Sequence, residues 1–297
     1  MWSPRGRLSS SFYASVARSR TERATNSTTR PSATGRGHNA TVPVIVLCGL
    51  FGLLIGSFLN VVIARVPEGR SIVSPASACP RCGHELAAWE NIPVVSWLAL
   101  RARCRSCHLP ISAIYPAVEL LTAVTFALVG WRVGWHAPLP AALWFAGASI
   151  ALSAIDLATR RLPNAIVFPT QEAVVGLLAI GAIAIGEPRR LRDVLLGALV
   201  AAGFLWLLRR IVPRGMGMGD VKYAVAIGGL LGWWGLGRVA FGIFSGFLIG
   251  SVLGLVQAAV TGKLRKATMP FGPALAAGAM LSLLAGGPIL DWYRGFS

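Results

Sequence analysis

Asp156 and Asp220 are the residues of this chain best placed to do chemistry. Asp156 closes one long apolar segment. Asp220 opens another, in the run Met216-Gly217-Met218-Gly219-Asp220-Val221-Lys222. An acid at membrane depth is costly enough to mark a function by default. Two carboxylates brought together can divide a hydrolysis between them, one activating water as general base and one protonating the leaving group as general acid. Like charges a few ångströms apart do not both ionise easily, so such a pair shares a proton and titrates as a unit. Gly217 and Gly219 remove side chains beside Asp220 and would let an extended substrate strand come close. Lys222 and the arginines after Asp156 could tune the acids or hold substrate charge. The plainer alternative makes both aspartates helix-end acids, with Asp220 as an N-terminal cap.

A second constellation is built from cysteine. Cys79-Pro80-Arg81-Cys82 and Cys104-Arg105-Ser106-Cys107 are separated by 21 residues between Cys82 and Cys104. Each pair can form a tight knuckle, and two knuckles supply four thiolates for tetrahedral Zn²⁺. Four thiolates leave no open position for water, so this metal is expected to be structural. The alternative, two disulfides, would need an oxidising compartment. His84 and His108 adjoin the pairs as bystanders, and Cys48 reads as a small buried hydrophobe. Of the other acids, Glu119 reads as a helix-start acid favoured by the dipole. Glu172 is expected to line a polar interior, while Glu187 and Asp193 fall at the opposite membrane face.

The elements that must position these groups are membrane-spanning helices. The chain has 297 residues, 55% of them hydrophobic and only 13% charged, with mean hydropathy +0.64. Soluble domains carry about 25% charged residues. The apolar residues come in continuous blocks of roughly 20, the length needed to cross a bilayer core, rather than in the alternation of a β-barrel. The fold class is therefore all-α and polytopic. Eight spans are expected, at 43–63, 115–131, 139–157, 164–185, 191–211, 221–236, 239–260 and 269–286, the sixth short and glycine-rich. Residues 64–114 form a polar loop holding the four cysteines, and 115–290 form a seven-helix catalytic region. Residues 1–41 form a basic tail with seven arginines and one acid, expected to be disordered. The net charge of +17 is scattered among loops, with no basic helix for nucleic acid, and suits anionic lipid instead. Loops on the cysteine side hold 15 Lys and Arg against six on the other. That bias places the cysteine loop, Asp156 and Asp220 in the cytoplasm.

These motifs together resemble the bacterial type IV prepilin peptidases, aspartic membrane proteases with a Gly-x-Gly-Asp signature. Gly56-Ser57-Phe58-Leu59-Asn60-Val61-Val62-Ile63-Ala64-Arg65-Val66-Pro67 is similar to the family's first-span signature. The paired cysteines, Asn91-Ile92-Pro93-Val94-Val95-Ser96-Trp97 and Tyr115-Pro116-Ala117-Val118-Glu119-Leu120 follow in the family's order. Asp156 before Arg161-Leu162-Pro163-Asn164 looks like the first catalytic aspartate, and Gly217-Met218-Gly219-Asp220 like the second. Pro270-Phe271-Gly272-Pro273 resembles the motif opening the last span. The resemblance implies an inner-membrane endopeptidase that removes the basic leader of prepilins and pseudopilins at the cytoplasmic face. Cleavage would fall after a glycine, just before the apolar pilin helix. It also implies that N-methylation of the new terminus from S-adenosylmethionine is plausible for this chain. Two other readings compete: a transporter whose acids relay protons, and a non-catalytic assembly scaffold recruiting partners through the zinc loop.

Overall fold

The computed structural model describes residues 37–213, 216–261 and 270–294. The chain divides into units 1–41 and 42–297. Of the first, only 37–41 are described, as the start of a helix, so the expected disordered tail otherwise lies outside the described residues. Nine α-helices follow among the described residues: α1 Gly37–Arg65, α2 Val95–Ala99, α3 Ile114–Val133, α4 Leu139–Thr159, α5 Asn164–Ala184, α6 Arg189–Ile211, α7 Met218–Gly232, α8 Leu236–Thr261 and α9 Gly272–Arg294. Strands are absent from the described residues apart from two isolated bridges in the cysteine loop.

Seven of these helices (α1, α3, α4, α5, α6, α8 and α9) are long and apolar enough to cross a membrane. The expected sixth span is α7, at 15 residues the exception. At 1.5 Å per residue it measures about 22 Å, short of a bilayer core of about 30 Å. Its surroundings explain how it can be short. Residues Ala226 to Gly232 are all buried, so the other helices rather than lipid surround it.

Local chemistry sets the breaks between helices. α4 ends where Arg160 adopts φ +55° and its N–H returns to Asp156 O. Pro163 then stands immediately before α5 as its N-cap residue, in extended backbone. At the far end of the bundle, Pro288 lies inside α9. Proline has no N–H, so the carbonyl four residues earlier loses its helical donor. That carbonyl belongs to Leu284, and Arg132 Nε donates to it at 3.0 Å. Arg238 Nη1 donates to Ser282 O at 2.6 Å beside it, while Ser282 Oγ donates back to Arg238 O. Half-buried Arg132 and buried Arg238 thus hold α3 and α8 against the proline-broken stretch of α9.

Small residues set the closest helix pairs, as they do where lipid supplies no hydrophobic drive between helices. α6 and α7 meet at Gly197, Gly228 and Gly232. A methyl group on Gly228 would collide with the Gly197 carbonyl and stand 2.6 Å from Ala201 Cβ. α8 and α9 meet in the same way at Gly246 and Gly278. Backbone on both sides cannot yield as a side chain can. Gly228→Val should therefore cost more than about 3 kcal/mol. Gel filtration in detergent should show that variant lost to aggregates, whereas Gly203→Val, with open space at its Cβ, should elute as the parent does.

Candidate functional site

The end of α4 and the starts of α5, α7 and α9 converge at one end of the bundle. Asp156 lies in the last turn of α4 and is 5% exposed. Its Oδ2 accepts the Gly272 N–H, at the start of α9, at 3.1 Å. Asp220 is the third residue of α7 and is 6% exposed. Its Oδ2 accepts the Gly217 N–H at 3.0 Å. Gly217, not Asp220, stands at the N-cap position; from the third helical position Asp220 reaches back to the Gly217 N–H, as the second half of a capping box does. The same carboxylate interacts electrostatically with Asp156. Capping fixes the rotamer and leaves the second oxygen outside that bond.

Leu162 joins the two halves. A methyl on Gly219, next to Asp220, would lie 2.9 Å from Leu162 Cβ. A methyl on Gly272 would lie 3.2 Å from Leu162 Cδ2 and 2.8 Å from Asp156 Oδ2. Glycine is needed at both places for the loop between α4 and α5 to wedge between the aspartate-bearing elements. Gly217 is exposed, whereas Gly219 is spent on this contact. Below the aspartates, Ser149 and Tyr223 share a buried hydrogen bond of 2.5 Å that ties α4 to α7. Tyr223 stacks on Phe145 with ring centroids 5.8 Å apart.

Lys222 is turned toward α5. Its Nζ donates to Asn164 Oδ1 at 3.1 Å and lies 4.8 Å over the Phe168 ring. It makes no ion pair with either aspartate among the described residues. Two expectations for other acids need correction. Glu172 is exposed and lines no interior, because the buried face of α5 runs through Val167, Thr170, Val174 and Leu178, on the other side of the helix. Glu119 is more than a helix-start acid. It sits in the second turn of α3, 8% exposed, and its Oε2 accepts the Val94 N–H at 2.7 Å. Val94 has φ +60°, a strained conformation for a β-branched residue, which the buried bond to Glu119 holds in place.

The cysteine loop folds into two similar knuckles. Cys79 N donates to His84 O and Cys104 N to Leu109 O, while Gly83 N and His108 N return to Cys79 O and Cys104 O. Gly83 has φ +74° and His108 φ +57°, so the histidine takes the position that glycine fills in the first knuckle. The four sulfurs of Cys79, Cys82, Cys104 and Cys107 lie within 4.8 Å of one another. Cys79 to Cys107 and Cys82 to Cys104 are each 3.9 Å. A tetrahedral Zn²⁺ with Zn–S near 2.3 Å has S–S edges of about 3.8 Å, so the donor set fits zinc. All four thiols are free, so the disulfide alternative does not hold here. The backbone N–H groups of Cys82 and Arg81 favour the Cys79 thiolate, whereas at Cys82 the His84 amide is outweighed by burial and the neighbouring sulfurs, which push the thiol up to about 11, so the crowded sulfurs do not all ionise without a cation.

Glu90 braces the loop beside the knuckles. Its Oε2 accepts the Ala87 N–H at 2.9 Å and lies 3.3 Å from His84 Nε2. The Ala87 amide, working against burial, and then His84 hold the Glu90 carboxyl below its ordinary 4.5. A carboxyl whose folded value is depressed stabilises above its unfolded value, and that contribution is lost as pH falls through the folded one. The loop of Glu90→Gln should therefore be more protease-sensitive than the parent's above pH 4.5, and the difference should fade below it. Zinc release at low pH affects both proteins alike, so comparing their limited-proteolysis rates isolates Glu90.

Residues 50–133 match the bacterial peptidase A24 N-terminal domain, and residues 143–259 match the type IV leader peptidase family. The chain is 37% identical over 285 residues to the prepilin leader peptidase/N-methyltransferase of Pseudomonas aeruginosa, covering 85% of this chain and 94% of that protein. It is 44% identical over 226 residues to the protein of the same name from Myxococcus xanthus, covering 72% and 63%. For that from Aeromonas hydrophila the identity is 36% over 277 residues, covering 82% and 91%. No solved structure matches the chain.

Proposed function

The chain belongs to the type IV leader peptidase family, and from that premise we propose how its site works. It is a multi-pass inner-membrane endopeptidase that removes the leader of prepilins and N-methylates the new terminus. Asp156 and Asp220 are the catalytic pair, acting at the cytoplasmic face. What supports this reading is the convergence of α4 and α7, which brings two buried carboxylates to one end of the bundle. One carboxylate takes the proton of the attacking water, and the other gives a proton to the departing amine. The Gly217 and Gly272 amides hold one oxygen of each carboxylate, so the pair is oriented before substrate arrives. Exposed Gly217 leaves room for the substrate strand, and Lys222, anchored on Asn164, binds substrate carbonyl or carboxylate groups. A proton relay at mid-membrane has less support, since both acids sit at helix ends.

The four cysteines hold a structural zinc. S-adenosylmethionine would supply the methyl group. A groove of about 370 Å³ between α1 and the cysteine loop suits it in size. Arg65 could pair with its carboxylate, Ser57 and Asn91 with its hydroxyls, and Phe58 with its adenine. Arg65→Ala should then cut methylation at least ~10-fold, the effect of losing a charged hydrogen bond of 1.5–3 kcal/mol, and leave leader cleavage unchanged. Co-expression with a candidate prepilin tests the whole reading. The product should have lost its leader and gained the mass of one methyl group. An intact leader would reject the peptidase assignment.

A further inference from the structure

We propose that the segment 92–98 of the cysteine loop is embedded in the surface layer of the adjoining lipid leaflet. The length of α3 fixes the depth of this segment. α3 has 20 residues, so at 1.5 Å per residue it is about 30 Å long and matches a bilayer core without surplus. Its first two turns therefore lie at one membrane interface. Glu119 is in the second of those turns, and its side chain leans back toward the helix start, as helical side chains do. The 2.7 Å bond from Val94 N–H to Glu119 fixes the segment at that level. Trp97 Nε1 donates to Ile111 O at 3.2 Å, three residues before α3 begins, and gives a second tether.

The tethered side is buried at Pro93. The opposite side presents Ile92 at 46% exposure, Val95 at 59% and Leu98 at 61%. Their spacing of three puts them on one face of the turn that includes α2. Ile114, 64% exposed in the first turn of α3, adds to the apolar surface at this level, and Leu121 and Val124 carry it down the helix. Residues 91–118 contain no acid, while Arg101, Arg103 and Arg105 are all exposed. Apolar side chains at headgroup depth beside exposed arginines form a surface for a lipid interface containing anionic headgroups. The strain at Val94 has a role in this picture, since it turns the short helix so that its apolar side faces outward.

The test uses the full chain in nanodiscs of phosphatidylethanolamine and phosphatidylglycerol. The photocrosslinker benzoylphenylalanine is placed singly at Val95, Leu98, Leu121 or Glu85, and zinc content is checked for each protein. Lipid adducts at positions 95 and 98 should come within about threefold of those at 121, in the span, and exceed those at 85, in the first knuckle, at least ~10-fold. Lipid adducts at 121 with none at 95 and 98 would overturn the proposal. So would crosslinks from 95 and 98 to a prepilin or a second copy in place of lipid. The outcome is independent of catalysis and stands whichever aspartates prove essential.

Discussion

Asp220→Asn should abolish leader cleavage by at least ~10³-fold in kcat while leaving the fold and zinc content unchanged. The side chains are nearly the same size, and the amide oxygen of asparagine can still accept the Gly217 N–H that caps α7. What disappears is the ability to take or give a proton. Asp156→Asn should behave alike, because its bond from Gly272 N–H also survives the change. The contrast with alanine separates structure from chemistry. Asp220→Ala removes the cap and should cost stability of about 1 kcal/mol besides activity. Cleavage assays beside thermal unfolding read the two effects apart. Near-parental cleavage by properly folded Asp220→Asn would refute the assignment of Asp220.

Removing zinc should unfold the cysteine loop and spare the helical bundle. Among residues 66–113, burial is confined to Glu90, Pro93 and Cys104. That is too little to hold a loop of this length, whereas a structural zinc contributes about 10–16 kcal/mol. The bundle's main buried core lies in the helices and draws no buried residue from this loop. A strong chelator, or Cys104→Ser, should loosen the loop and speed tryptic cleavage after the already exposed Arg81, Arg103 and Arg105, while helical circular dichroism falls only slightly. Methylation should be lost with the loop. Tryptic rates that stay the same when zinc is gone would show that something else holds the knuckles.

Both predictions concern residues whose roles were legible in the sequence, and for a physical reason. An ionisable group inside a long apolar block stands out against its background, as Asp156 and Asp220 do. Paired cysteines fix a ligand geometry by spacing alone. What remained hidden is which side of each span faces inward. The spans are apolar all round, so the sequence pattern separates helix from loop but scarcely separates lipid from protein. The exposed position of Glu172 on α5 is hidden in the sequence for that reason. The packing of Leu162, the tether of Glu119 and the Ser149 to Tyr223 bond are not legible in the sequence because each acts through a partner 25 to 110 residues away. The glycines at 197, 228, 246 and 278 carried the signal for close packing, though not for which helices pair. Arg132 and Arg238 are two of the six far-side charges counted above, and only the carbonyls near Pro288 show what they bind.

The claim on which the rest depends is that two side chains from separate helices work as one catalytic unit. A double-mutant cycle on leader cleavage in reconstituted vesicles tests it most directly. Residues that act as a unit are strongly non-additive, since losing either one already removes the shared step. Asp156→Asn, Asp220→Asn and the double variant should therefore all fall to the same residual rate within about threefold. Losses that multiply, with the double variant slower than the parent by the product of the two single losses, would mean that the two carboxylates act independently.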